Sequence, residues 1–380
     1  MMAVFKKAIL PFGFQANGVS AGIKKKAKLD LAVFYSQVPA KASCKFTANK
    51  IPAAPLVISK KYLKDNKNFR AIIANSGNAN CFTGAVGLKD AVAMASFLAK
   101  ALRVKQKSVL VASTGIIGRI LPIDKIQQAV PVLVKGLSKQ GIDKAKKAII
   151  TTDTFSKEIT VKFNLGPKTV SICGIAKGAG MIAPNMATLL CFIFTDANIT
   201  QSALDKALEI AVDNSFNRIT VDGCMSTNDS VMTLANGEAC NKLIDSGNNF
   251  IAFVKALELA CLELAKMVVK DAEGATKFIQ VKVSGAKNFK EAKTVALSIA
   301  NSNLFKTAMF ASSTNVLGRI VAAVGASGVD VKEKDLKISH GSLKKKEILL
   351  SVSLNRGQSQ AVIYTSDLSY EYVKINAEYN

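Results

Sequence analysis

Apolar positions along this chain recur with two periods, one helical and one extended. Residues 88–103, LKDAVAMASFLAKALR, carry apolar side chains at helical spacing after a Gly-rich turn. Residues 108–112, SVLVA, predict a short buried strand that runs into a turn at 113–119, STGIIGR. Residues 158–163 and 169–173 alternate in character, and NLGPK between them is a good hairpin connection. TLLCFIFT, 188–195, is a continuous apolar run of strand length. Thr200 stands where an N-cap is needed for an amphipathic helix over 201–214. A longer helix is predicted over 249–269, a strand over 277–283 and a helix around 288–301. From about residue 336 the pattern is mostly strand-like, and no repeat of fixed period is present. Helices and strands alternate throughout, so the expected fold class is α/β, a mixed α+β arrangement.

Size and composition refine this picture. A chain of 380 residues suggests two lobes or an unusually large single domain, yet no Pro/Gly/Ser-rich linker divides it. With 49% hydrophobic residues, no Trp and 7% aromatics, its core must be mostly aliphatic. The formal net charge of +24 favours anionic partners in general, whether nucleic acid, anionic lipid or acidic metabolites. The lysines are scattered, however. The short clusters Lys24–Lys26 and Lys344–Lys346 are not interleaved with aromatics, and no zinc-finger or RNA-binding signature is present. A solvated, lysine-rich surface is expected, with no nucleic-acid partner. Seven cysteines without a C-x-x-C pair fit buried thiols in a reducing cytoplasm. The N-terminal MMAVFKKAILPFGF is too short in its apolar part for a secretory signal, and no stretch approaches 18 uncharged apolar residues, so no membrane span is expected.

The single histidine, His340, removes a two-histidine zinc site from consideration. It also makes a Ser-His-Asp triad unpromising, because His340 lies in the turn-like ISHGSLKKK. A nucleophile here needs another base. The sharpest punctuation in the chain is GAGMIAPNMA, 178–187, which runs directly into Thr188 and an apolar strand. A Thr hydroxyl so placed can attack its own preceding carbonyl. Hydrolysis of the resulting ester cuts the chain between Ala187 and Thr188 and frees an α-amino group. With a pKa of roughly 7.7–8.0, that amine is a base near neutral pH, and it needs no histidine. Read alone, the same residues also describe a glycine turn into a core strand. The STG turn could place two donors for an oxyanion, from Thr114 and the backbone of Gly115, or serve only as a connection. ANSGNAN, 74–80, reads as one loop that either binds a polar ligand or satisfies its own backbone. TTDT, 151–154, reads as cap or turn chemistry, and Glu273 in KDAEGATK as a turn position after a long helix. The Walker spacing of a P-loop is absent.

At KGAGMIAPNMAT, 177–188, the sequence resembles the ornithine acetyltransferase family, which includes bifunctional glutamate N-acetyltransferases of arginine biosynthesis. GFQANGVSAGIKK, NSGNAN, STGIIG, TTDT, FNRITVDG followed by STND, DAEGATK and YVKINAEY extend the resemblance in order along nearly the whole chain. It implies layered sheets and helices, as in a self-cleaving N-terminal-nucleophile type of acetyltransferase. Cleavage would give an α chain of residues 1–187 and a β chain of residues 188–380, associated as a heterotetramer of two of each. Thr188 would be the nucleophile, and Thr114 and Gly115 would stabilise the oxyanion. Thr151, Lys177, Thr188, Glu273 and Asn376 would bind substrate. The substrates implied are N-acetylornithine and glutamate, with acetyl-CoA a substrate only in the bifunctional version. Neither a metal nor a prosthetic group is implied, and a cytoplasmic location is.

Three departures bear on specificity. The family usually has a Ser or Thr five residues beyond the terminal Asn, whereas this sequence ends at Asn380, four beyond Asn376. DGDTSTND appears as DGCMSTND, with Cys224 and Met225 substituted. G-A-D-x-N-W-G-R appears as ASSTNVLGR, 311–319. Two other readings stay open at this point: a related self-cleaving amidase or aminopeptidase with water as acceptor, and a silent paralogue that binds amino acids.

Overall fold

The computed structural model describes residues 2–25, 28–183 and 189–378. It divides into two compact units, the first formed by Met1–Gly178, Asn185–Phe216 and Met225–Leu264, the second by Ala179–Pro184, Asn217–Cys224 and Ala265–Asn380. Neither unit follows the division at residue 187. The fold is mixed α/β, with sheets and helices alternating as the periodicity predicts.

The first unit is built on strands β1 (Met2–Phe5), β2 (Phe14–Val19), β3 (Leu31–Phe46), β4 (Phe69–Asn78), β5 (Val109–Ile116), β6 (Lys157–Leu165), β7 (Lys168–Lys177), β8 (Leu190–Thr195) and β9 (Ser230–Ala235). Their order is β1-β6-β7-β8-β9-β3-β4-β5, with β2 paired to β3. The predicted hairpin is β6–β7, joined at Leu165 and Lys168. LCFIFT in β8 is buried at every position because it lies between antiparallel β7 and parallel β9 with both faces covered, which is why it reads as an unbroken apolar run. The long β3 changes partners midway. Its first part pairs with β2 and β4, its last with β9, and the register shifts between Tyr35 and Ala40, around Pro39.

That bend brings Phe34 to 4.9 Å from Phe192 and 5.1 Å from Phe194, with Phe14 at 5.4 Å from Phe194 (ring centroids). An aliphatic core surrounds these rings. Helices α1 (Ala54–Asp65), α2 (Gly84–Leu102), α3 (Ile123–Lys135) and α4 (Ile142–Ala148) pack on the β2–β5 side. Helix α5 (Gln201–Asp213) packs on β3, and Thr200 Oγ1 accepts from Ala203 N at 3.3 Å, as a cap should. Helix α6 (Gly247–Lys270) covers β6 and β7, with Phe253 at 6.3 Å from Phe163 and Leu264 against Gly174.

In the second unit β10 (Phe278–Ala286) runs parallel to β12 (Glu347–Ser353) and antiparallel to β13 (Ser359–Ser366), with β11 (Lys337–His340) at the edge. Helices α7 (Phe289–Ala300), α8 (Asn303–Ala311) and α9 (Val316–Gly325) share an apolar core with this sheet. Asn288 and Ser302 cap α7 and α8 through hydrogen bonds from Glu291 N and Phe305 N. Helix α10 (Tyr370–Glu378) follows β13, so the C-terminal stretch is strand-rich but ends in a helix.

Two local expectations are corrected. Residues 75–78 belong to β4 rather than to a loop, and β5 continues through Ile116, so STG lies within a strand. Parallel pairing of β4 with β5 carries both segments past the point where their apolar runs end. Among the described residues, no helix is long and apolar enough to cross a membrane.

Candidate active site

The parallel pair β4–β5 places Ser76 beside Thr114 and Gly77 beside Gly115. Gly115 has φ +133°, and a Cβ there would collide with the backbone of Gly77 and lie 2.5 Å from Asn78 N. Only glycine allows this approach. The Asn-rich segment satisfies backbone groups. Asn75 Nδ2 donates to Asn78 O at 2.9 Å, Asn78 Oδ1 accepts from Asn80 N at 2.7 Å, and Asn80 Nδ2 donates to Gly87 O at 2.9 Å. Asn228 of the STND stretch donates to Ala79 O and Ser113 O at 2.6 and 2.9 Å, tying β4 and β5 together at this end.

Lys177, the last residue of β7, reaches the same place. Its ammonium donates to Thr114 Oγ1 at 3.3 Å and Thr151 Oγ1 at 2.7 Å, and its side chain is buried. Three predicted site residues, separated by up to 63 positions in sequence, thus converge. Asp153, which the sequence placed in a motif without giving it a role, organises the cluster. Its carboxylate accepts from Lys157 Nζ at 2.6 Å, Gly178 N at 2.7 Å and Thr151 N at 2.9 Å. Burial alone would raise its pKa. Lys177 and Lys157, with the hydrogen bonds from Lys157 and Gly178, outweigh that and hold the carboxyl well below the usual range. Lys24 adds a further cation. Burial, followed by the nearby Lys177 and Lys28, lowers its pKa to about 8 against the opposing pull of Asp30 and Asp153. Lysines outnumber carboxylates here, and a buried ammonium beside hydroxyls is suited to an added carboxylate.

Thr188 and Ala187 lie outside the described residues. The position after them is anchored, because Leu189 N donates to Asp229 Oδ1 at 2.8 Å. In the second unit, Glu273 and Asn376 meet directly, with Asn376 Nδ2 donating to Glu273 Oε2 at 2.8 Å. Glu273 N also donates to Ala179 O at 3.0 Å, and the absent side chain of Gly180 leaves room for the Glu273 carboxylate. Asp222 is the second acid whose part sequence reasoning missed. It accepts from Met181 N and Ile182 N at 2.7 and 2.9 Å. Its sequence signals were the turn-forming Asp-Gly pair and its place in FNRITVDG, neither of which gave it a role. His340 is exposed at the end of β11, with Nδ1 2.8 Å from Gly341 O. Among the described residues, no group of three or more His, Cys, Asp or Glu side chains is placed to hold a metal ion.

A model of the ArgJ family matches residues 15–380. The chain is 45% identical over 398 residues to the arginine biosynthesis bifunctional protein ArgJ of Caldanaerobacter subterraneus subsp. tengcongensis, covering 98% of each. It is 45% identical over 401 residues to the glutamate N-acetyltransferase of Methanocaldococcus jannaschii, covering 97% of each. Among solved structures, a chain of the ornithine acetyltransferase of Mycobacterium tuberculosis complexed with ornithine is 36% identical with a TM-score of 0.45, and the match covers 50% of this chain and all of that one. With the family model and full-length relatives both spanning it almost end to end, the chain belongs to the ArgJ family.

Proposed function

We propose that this chain transfers an acetyl group from N2-acetylornithine to glutamate, giving ornithine and N-acetylglutamate in arginine biosynthesis. As an ArgJ-family member it is an acyltransferase, and relatives named for arginine biosynthesis and for glutamate N-acetylation support these substrates. The observation that carries the reading is the buried cluster of Lys177, Thr114 and Thr151 beside the Gly77–Gly115 approach.

The chain first cuts itself. Thr188 Oγ attacks the Ala187 carbonyl, the peptide C–N bond breaks as an ester forms, and water hydrolyses that ester. An α-amino group is freed on Thr188. In turnover, that amine takes the hydroxyl proton as Oγ attacks the acetyl carbonyl. The proton passes to the departing ornithine amine, leaving acetyl-Thr188. Glutamate's amine then attacks the acetyl ester and regenerates the hydroxyl. Thr114 Oγ1 and the Gly115 amide are the oxyanion donors, which need to act only in the tetrahedral states. Lys177 and Thr151 bind the substrate carboxylate, and Glu273 with Asn376 takes its amino group. Acetyl-CoA serves as a second donor in the bifunctional form. The two chains associate as a heterotetramer of two α and two β chains, in the cytoplasm.

Intact-mass measurement of purified protein tests the cut: two fragments divided at 187/188 are expected. A Thr188→Ala variant stays as one chain without transferase activity, and a cut or active variant removes Thr188 as nucleophile. Ornithine release that requires glutamate supports transfer. Release without glutamate turns the reading to an amidase, and no release at all to a silent paralogue.

A further inference from the structure

Three stretches of the second unit meet at one carboxylate. Asp222 Oδ2 accepts from Met181 N at 2.7 Å and Oδ1 from Ile182 N at 2.9 Å, holding the segment that leads toward residue 188. Oδ1 also accepts from Cys224 N at 3.1 Å, which closes its own Asp-Gly turn. The third contact comes from α10: Tyr372 Oη donates to Asp222 Oδ2 at 3.1 Å. Burial, and after it the charge of Asp222, raises the Tyr372 pKa, so the hydroxyl remains a proton donor.

The held segment needs this support. Met181 has φ +57°, a left-handed conformation that a side chain with Cβ disfavours. Ile182 O accepts from Val221 N at 2.8 Å, adjacent to the same turn. The other end of the segment is tied to Glu273, whose N–H donates to Ala179 O at 3.0 Å. Helix α10 reaches that residue as well, through Asn376, and Ser369 Oγ just before the helix donates to Gly274 O at 2.6 Å. Residues 179–182 are therefore held by the carboxylate of Asp222 at one end and the backbone of Glu273 at the other, and α10 touches both residues.

We propose that Asp222 is a positioning residue for the cut before residue 188, and that docking of α10 through Tyr372 sets it. The proposal rests on the self-cleavage proposed for this chain. Cutting then waits until residues 370–378, far beyond the cleavage point, have folded onto their own unit. Without that hydroxyl the carboxylate is free to turn away from the Met181 amide. The left-handed turn at Met181 then relaxes, and cutting slows.

The test uses Tyr372→Phe in the full chain, which removes one hydroxyl and leaves Asp222 with three backbone donors. Cleavage is timed by intact mass after cell-free synthesis, beside the wild type. Loss of a hydrogen bond to a charged group predicts about tenfold or more slowing. The melting temperature should stay near that of the wild type. Asp222→Asn, which cannot accept from all the same donors, should slow cleavage further. Wild-type cleavage rates in Tyr372→Phe overturn the proposal even if Asp222→Asn fails to fold. If Tyr372 only steadies α10, the KM of the mature variant rises while its cleavage rate is unchanged, and that split also overturns it. A wild-type chain that stays uncut instead overturns self-cleavage itself.

Discussion

Lys306 on α8 is a cation placed where water does not reach. Its ammonium donates to Thr365 Oγ1 at 3.0 Å and to Ser366 O, and burial lowers its pKa from 10.5 to about 8 despite Asp367 and Asp222 nearby. A lowered lysine pKa means that the unfolded chain binds more protons than the folded one between pH 8 and 10.5, so this residue adds stability as pH rises through that window. Urea unfolding of wild type and Lys306→Met at pH 7 and pH 10 should show the wild type gaining on the variant by up to about 3 kcal/mol. A difference that does not change with pH would contradict the buried, weakly basic state. At the candidate-site cluster, residue types were legible, since Thr114, Thr151 and Lys177 all sat in recognisable motifs. Asp153 and Asp222 were not assigned, because an acid's partners are chosen by proximity in space. The amides of Gly178 and Met181 lie 25 and 41 positions from the carboxylates that hold them.

Elements were legible where burial imposes a local period. The predicted helices over 201–214, 249–269 and 288–301 are observed at Gln201–Asp213, Gly247–Lys270 and Phe289–Ala300, because one face of each is apolar and two carry side-chain caps. Strand β3 went unrecognised. Its KASCK half sets three small residues between two lysines, and the partner change near Pro39 breaks the pattern. The two kinds of signal differ in energetic weight. Thr200→Ala removes one cap hydrogen bond and should cost about 1 kcal/mol. Phe192→Ala opens a cavity between the two parts of the sheet and should cost about 3–5 kcal/mol. Chemical denaturation of both variants should rank them in that order, and equal losses would mean that the site around Phe192 collapses freely.

Across the first unit, the proposed cut does not separate two bodies. β8 and β9 follow residue 188, yet they lie between β7 and β3, which precede it. Two antiparallel ladders and the Phe14–Phe34–Phe192–Phe194 cluster therefore join the segments on either side of that proposed cut. Cleaved protein should elute from a sizing column as one species containing both fragments and separate only under denaturant. Fragments that part in native buffer would contradict this interleaving.

The sequence by itself determined the periods of the helices and strands, the aliphatic character of the core, the family and the threonine proposed as nucleophile. Each of these is a local property of residue type and spacing. Tertiary structure alone decided that Lys177 reaches both Thr114 and Thr151, that Asp153 holds the amides of Thr151 and Gly178 beside them, that Asp222 joins the turn at Met181 to α10, and that strands before and after residue 188 interleave. Those outcomes depend on which distant backbone amides and strand edges arrive together, and a single carboxylate or strand carries no pattern that names its partner.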